Sequence, residues 1–157
     1  MKRVLITGAH SYLGQSLRAY LAQWPEEFQV EALSVRGDGW KAADFHNFDA
    51  IYHTAALVHM EQDKQYPGQA ALYDAVNGRL PVLLAEKARA EGVSQFIFLS
   101  TMAVYGLTAP YGRTVTIAAD TPPRPADNYG RSKLAAEQGL QALAGEGFSV
   151  AILRPPM

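Results

Sequence analysis

The chain has 157 residues, 48% of them hydrophobic, with no cysteine, and 14 basic against 15 acidic residues give a formal net charge of -1. That length and apolar content suit one domain around one sizeable core, and the missing thiols exclude disulfides, thiolate metal sites and cysteine nucleophiles. Balanced charge without a block of one sign points away from nucleic acid and anionic membranes and towards a small-molecule partner.

In chain order, Met-Lys-Arg runs straight into an apolar strand pattern at Val4, Leu5 and Ile6. No apolar run approaches the roughly 18 residues of a membrane span, so a cytoplasmic location is expected. The strand breaks at Thr7-Gly8, and Leu13, Leu17, Tyr20 and Leu21 then recur at helical spacing as one expected buried face, with Ser11 at the N-cap. Such a strand, glycine turn and helix offers free N–H groups and a partial positive dipole to a diphosphate, with Gly8 and Gly14 keeping the approach clear of side chains. Phe28 to Val35 reads as a second strand with Phe28, Val30, Ala32 and Ser34 on one face. Residues 37 to 48 read as polar loop around Trp40, Phe45 and Phe48, and Asp49 to Thr54 as a third strand followed by the small pair Ala55-Ala56. That pair either lets a dinucleotide lie close or simply packs.

From Gln69 to Glu91 the period is helical, with Leu72, Val76, Leu80, Leu83 and Leu84 on one face, Pro81 as a kink or restart, and Asn77 placed to order a loop. Phe96 to Ser100 is a fourth strand, apolar throughout, ending in the hydroxyls Ser100 and Thr101 where open α/β sheets gather ligand groups. Leu107 to Asp127 is a proline-rich loop with a brief strand expected at Thr114 to Ile117; Asn128 is expected to cap a helix to Ala144, and Phe148 to Leu153 is a fifth strand. Strands alternating with helices imply an α/β parallel sheet covered on both faces.

Two further patterns bear on chemistry. At the tip of the second strand, where an acid would accept from a ribose hydroxyl and an arginine would suit a 2′-phosphate, stand Ser34 and Arg36. Arg36 reads equally as a phosphate partner or as a solvated loop cation. Tyr129 and Lys133, four apart, share a helix face, and lowering a phenol from about 10 to about 7 needs roughly 4 kcal/mol of preferential phenolate stabilisation, part of which a nearby ammonium supplies. His46, His53 and His59 have neither metal-site spacing nor a carboxylate cluster, so no metal is expected.

Thr7-Gly8-x-x-Ser11-x-x-Gly14, Asp44-Phe45, His53-x-Ala55-Ala56, Val76-Asn77, Ser100-Thr101-x-x-Val104-Tyr105-Gly106 and Tyr129-Gly130-x-Ser132-Lys133-x-x-x-Glu137 fall in one order. In that order the chain resembles the extended short-chain dehydrogenase/reductases, in particular the nucleotide-sugar epimerase/dehydratase group. The resemblance implies a Rossmann-type doubly wound sheet of order 3-2-1-4-5, one NAD(P)-binding domain over residues 1–157, truncated before a C-terminal substrate domain and therefore inactive alone. It assigns Gly8, Ser11, Tyr12, Leu13 and Gly14 to the pyrophosphate, Ser34 and Arg36 to the ribose end, Asp44 and Phe45 to the adenine, and Ala55 and Ala56 to the dinucleotide wall. Asn77 and Ser100 are counted with the cofactor-binding residues, Asn77 matching an asparagine that supports the site's architecture. Thr101, Tyr129 and Lys133 are its catalytic set, Tyr129 taking a sugar hydroxyl proton while hydride passes to the cofactor, and Lys133 holding the nicotinamide ribose and lowering the phenol. NAD is the cofactor expected, with NADP open, and a nucleotide-sugar is the substrate. The reaction implied is UDP-glucose 4-epimerase-like; an NAD(P)H-dependent keto-sugar reductase and a non-catalytic dinucleotide sensor are the alternatives. Self-association through an uncovered sheet edge is expected.

Overall fold

The computed structural model describes residues 1–58 and 68–156, so His59 lies outside the described residues. Five parallel strands, β1 (Lys2–Thr7), β2 (Phe28–Leu33), β3 (Ala50–His53), β4 (Gln95–Leu99) and β5 (Ser149–Leu153), form one sheet in the order β2-β1-β3-β4-β5. The α/β parallel architecture is as expected, and the order 3-2-1-4-5 is corrected to 2-1-3-4-5. Between Leu33 and Ala50 the only helical element is the 3-10 turn Gly39–Ala42, with no crossover helix to carry the chain to the outer side of β2. Ala50, Ile51 and His53 are moreover buried, as suits a strand flanked on both sides. Among the described residues, no helix is long and apolar enough to cross a membrane.

The register sets in line Leu5, Ile51, Phe96 and Val150, and then Thr7, His53, Phe98 and Ile152. Against this face pack α3 (Leu80–Ala90) and α4 (Asn128–Leu143), and Leu84, Ala85, Ala88, Ala136 and Leu140 close the core. Trp40, Phe45 and Phe48, the aromatics of the stretch read as loop, join the same cluster. On the opposite face α1 (Tyr12–Leu21) covers β1 and β2, while Tyr52, Ile97 and Ala151 are left half-buried.

Two expected helix faces are corrected. In α1 the inward residues are Gly14, Leu17 and Leu21, whereas Leu13 and Tyr20, about one residue round the helix, are 45% and 57% exposed. Tyr20 instead meets Trp24 edge-on at 4.8 Å. After α2 (Gln69–Tyr73), the chain makes a π-turn at Asp74–Arg79 before α3 begins with Pro81 in its first turn. The wider turn shifts the register, so Tyr73, Asn77 and Leu84 are buried while Leu72 and Leu83 face out. Pro81 therefore marks a restart. The N-cap of α4 is Asp127, whose carboxylate accepts from Gly130 N at 2.7 Å, not Asn128. Thr114 to Ile117 forms no strand.

Candidate active site

The turn after β1 is built by Gly8, at φ 101°. A Cβ there would stand 2.6 Å from Ala55 N and Thr54 Oγ1, and one on Gly14 would stand 2.8 Å from Ser11 Oγ and 2.9 Å from Gly8 O. Both glycines are thus required by the protein's own packing as well as by any ligand's approach. Ser11 caps α1, accepting from Gly14 N at 3.0 Å. Its hydroxyl also lies 2.7 Å from Thr54 Oγ1, and Thr54 Oγ1 donates to Thr7 O at 3.0 Å. With the Thr54 proton on Thr7 O, the Ser11 proton goes to Thr54. No hydroxyl proton of Ser11 is left for a phosphate, and the donors that remain include the N–H groups of Tyr12 and Leu13, which open α1 without intrahelical acceptors. The first turn of α1 carries no acidic residue to compete with an anion.

A cavity of about 480 Å3 opens from this turn, bounded by Gly8, Ala9, His10 and Ser11, by the tip of β2 from Ser34 to Gly37, by Ala55, Ala56 and Leu57, and by Val76 and Leu80. Asn77, fully buried, shapes its wall, since Oδ1 accepts from Leu57 N at 2.8 Å and Nδ2 donates to Leu57 O at 2.9 Å. The carboxylates near the tip are engaged elsewhere, Glu31 with Arg3 at 3.0 Å and Asp38 with Lys41 at 2.8 Å. Asp44 and Phe45 are not brought to this cavity. Phe45 is buried in the core, its N–H donating to Glu91 at 2.7 Å with Lys87 Nζ 4.9 Å from its ring. Asp44 is exposed and bonded to His46, whose ring and backbone N–H groups hold its carboxyl below the usual range. Asp44, His46 and Glu91 bring ligand atoms within 4.8 Å of one another, but Glu91 is already taken by Lys87 and Phe45 N–H. The donors, the small wall residues and the cavity fit a dinucleotide at the turn.

At the end of β4 stand Ser100 and Thr101, both buried. Thr101 caps the 3-10 turn Met102–Tyr105, its Oγ1 accepting from Ala103 N at 3.1 Å, and its hydroxyl stands near enough to the Tyr129 phenol to act on its ionisation. Burial raises the Tyr129 phenol above its ordinary 10.0, Thr101 pulls it down, and the charge of Asp127 pushes it up. Lys133, 2% exposed, donates from Nζ to Leu99 O at 2.7 Å and lies 4.6 Å from the Phe98 ring. Burial lowers it to about 8, with Glu137 opposing that fall. Tyr129, Thr101 and Lys133 therefore share the carboxyl edge of the sheet, as expected, but burial and not Lys133 dominates the phenol. Under Lys133, His53 is fully buried between Phe96 and Phe98, 2.7 Å from Thr7 Oγ1, with no partner for Nε2 among the described residues, and burial lowers it to about 3.

A profile of the NAD dependent epimerase/dehydratase family matches residues 4–157. The chain belongs to that family. UDP-glucose 4-epimerase of Vibrio cholerae is 31% identical over 98% of this chain and 51% of its own length. GDP-6-deoxy-D-mannose reductase of Pseudomonas aeruginosa is also 31% identical, over 98% of this chain and 51% of its own. Among solved structures, MoeE5 in complex with UDP-glucuronic acid and NAD superposes with a TM-score of 0.75 at 27% identity, over 97% of this chain and 54% of that one. The chain thus spans about half the length of these relatives. In this epimerase/dehydratase-family chain, two contributors were missed by sequence reading. Tyr73 meets the Tyr129 ring edge-on at 6.3 Å, visible only once the π-turn is known. Arg154, directly after β5, grips Glu137, a pairing across two elements that no local spacing signals.

Proposed function

We propose that the protein of which this chain is the cofactor-binding part is a nucleotide-sugar epimerase of the UDP-glucose 4-epimerase kind, with Thr101, Tyr129 and Lys133 as its catalytic residues. The observation that carries this reading is Tyr129, beside Thr101 and one helical turn from buried Lys133, at the same carboxyl edge as the Gly8 turn. The N–H groups of Tyr12 and Leu13 would hold the diphosphate, Ala55 and Ala56 would flank it, and Lys133, with donors to spare beyond Leu99 O, would hold ribose hydroxyls. NAD is the cofactor favoured, as in the MoeE5 complex; bound, it supplies the acceptor for hydride from a sugar carbon and a positive ring near the phenol. Tyr129 would then take the sugar hydroxyl proton while Thr101 shares that oxygen, and would return the proton when the opposite face is reduced. One observation favours a second reading, an NAD(P)H-dependent keto-sugar reductase: the tip of β2 offers Ser34 and Arg36 and no free carboxylate, which suits a 2′-phosphate. Self-association through the β5 edge, where Leu153 is exposed, belongs to the same proposal.

The test is a titration of NAD and NADP against the chain, followed by an assay of UDP-glucose and UDP-galactose interconversion in the full-length protein and its Tyr129→Phe variant. Binding of NAD with interconversion lost in Tyr129→Phe supports the epimerase. Preference for NADP with net reduction of a keto-sugar nucleotide supports the reductase, and binding of neither dinucleotide removes both.

A further inference from the structure

Lys133 and Glu137 lie one turn apart on the buried face of α4, at a spacing where an ammonium and a carboxylate ordinarily pair. Here they do not. Lys133 Nζ donates to Leu99 O, while both oxygens of Glu137, 1% exposed, are taken by other groups. Oε1 accepts from Ser100 Oγ and from Arg154 Nε at 3.0 Å, and Oε2 accepts from Arg154 Nη2. Arg154 is itself fixed, Nη1 donating to Tyr105 OH at 2.6 Å with Cζ 5.0 Å from the Tyr105 ring. A planar guanidinium held on three nitrogens matches a carboxylate in a way that a lysine cannot.

We propose that Arg154 is a positioning residue for Lys133: by occupying Glu137 it prevents that carboxylate from capturing the Lys133 ammonium, which is left at the carboxyl end of β4 to meet the cofactor. A carboxylate this deep cannot remain charged without a partner. The charged groups facing it are Arg154 from the end of β5 and Lys133 from its own helix, so loss of the first recruits the second. Recruitment would draw Nζ from Leu99 O towards the next helical turn and away from Tyr129. The role assigned to Lys133 rests on the function proposed above, but the geometry of the capture does not.

The experiment follows the Lys133 ionisation by NMR of side-chain-labelled lysine, assigned with Lys133→Arg, together with NAD and NADP affinity, in the wild-type chain, Arg154→Met, Glu137→Gln and the double variant. Burial, which lowers Lys133 to about 8, sets the titration expected of wild type. In Arg154→Met it should rise by at least one pH unit, because Glu137 now pairs with it, and dinucleotide affinity should fall at least tenfold. In the double variant, where no buried carboxylate is left to capture it, the titration should return to 8 or below and most of the affinity should return. A merely structural role for Arg154 would give the double variant no rescue. An unchanged Lys133 titration in folded Arg154→Met, or a double variant binding no better than Arg154→Met, overturns the proposal. Should Arg154→Met not fold, Glu137→Gln decides: a lowered Lys133 titration with affinity within threefold of wild type supports the mechanism, and collapse of affinity contradicts it. If wild type binds neither dinucleotide, the proposed function fails while the titrations still judge the capture.

Discussion

At the Gly8 turn the Ser11 and Thr54 hydroxyl protons both have acceptors and the two glycines are fixed by backbone contacts, whereas two strands away, at the end of β4, burial keeps Tyr129 neutral and charges Lys133 only at a cost. The first region is complete without a ligand; the second is built against its own charges. The difference teaches where each property of such a site is stored. Affinity for a diphosphate lies in backbone geometry that packing enforces. Reactivity would lie in the Tyr129 ionisation, which burial has pushed away from neutral pH and which a bound positive charge would bring down.

Acid separates the two regions most strongly. His53 belongs to the second region, and its fall from 6.5 to about 3 means that the unfolded chain binds a proton that the folded chain refuses. Its contribution is present above pH 6.5 and is lost as pH falls from there towards 3. At about 1.4 kcal/mol for each pH unit, the loss is about 5 kcal/mol. Urea unfolding of wild type against a Thr7→Val, His53→Leu double variant, which removes both partners of the 2.7 Å bond, should show a shallower pH slope in the variant over that window. Parallel slopes would mean that His53 is protonated in the fold.

Next in size is Gly8→Val. A β-branched side chain at φ 101° and 2.6 Å from Ala55 N has to move the turn, so NAD affinity should fall by at least a hundredfold in calorimetry. Equal binding would detach the phosphate site from this turn. Ser11→Ala has the smallest effect: loss of the cap should lower stability by about 1 kcal/mol, while dinucleotide affinity changes by less than about threefold because the Ser11 proton is already on Thr54. A large affinity loss with little loss of stability would put that hydroxyl on the phosphate instead.

The five strands, the glycine turn, the Ser11 cap and the Tyr129–Lys133 face could be read from the sequence because each follows from local spacing. The order of the strands could not, since it depends on what residues 34–49 leave out, a crossover helix, and on aromatics that look like loop residues until Trp40, Phe45 and Phe48 are seen in the core. The faces of α2 and α3 were misjudged because a uniform helical period carries no sign of the π-turn around Asn77. The Glu137–Arg154 pair joins residues from two elements, and no periodicity within either announces it.

If the Tyr129 phenol waits on a ligand's charge, the Tyr129 ring carbon will show it in a pH titration followed by NMR, with and without saturating NAD. Alone, Tyr129 should titrate above 10, held there by burial despite Thr101. With NAD bound it should shift downward, towards the range of a working base. A phenol already below 10 in the free chain, or one that saturation with NAD leaves unmoved, would contradict the account.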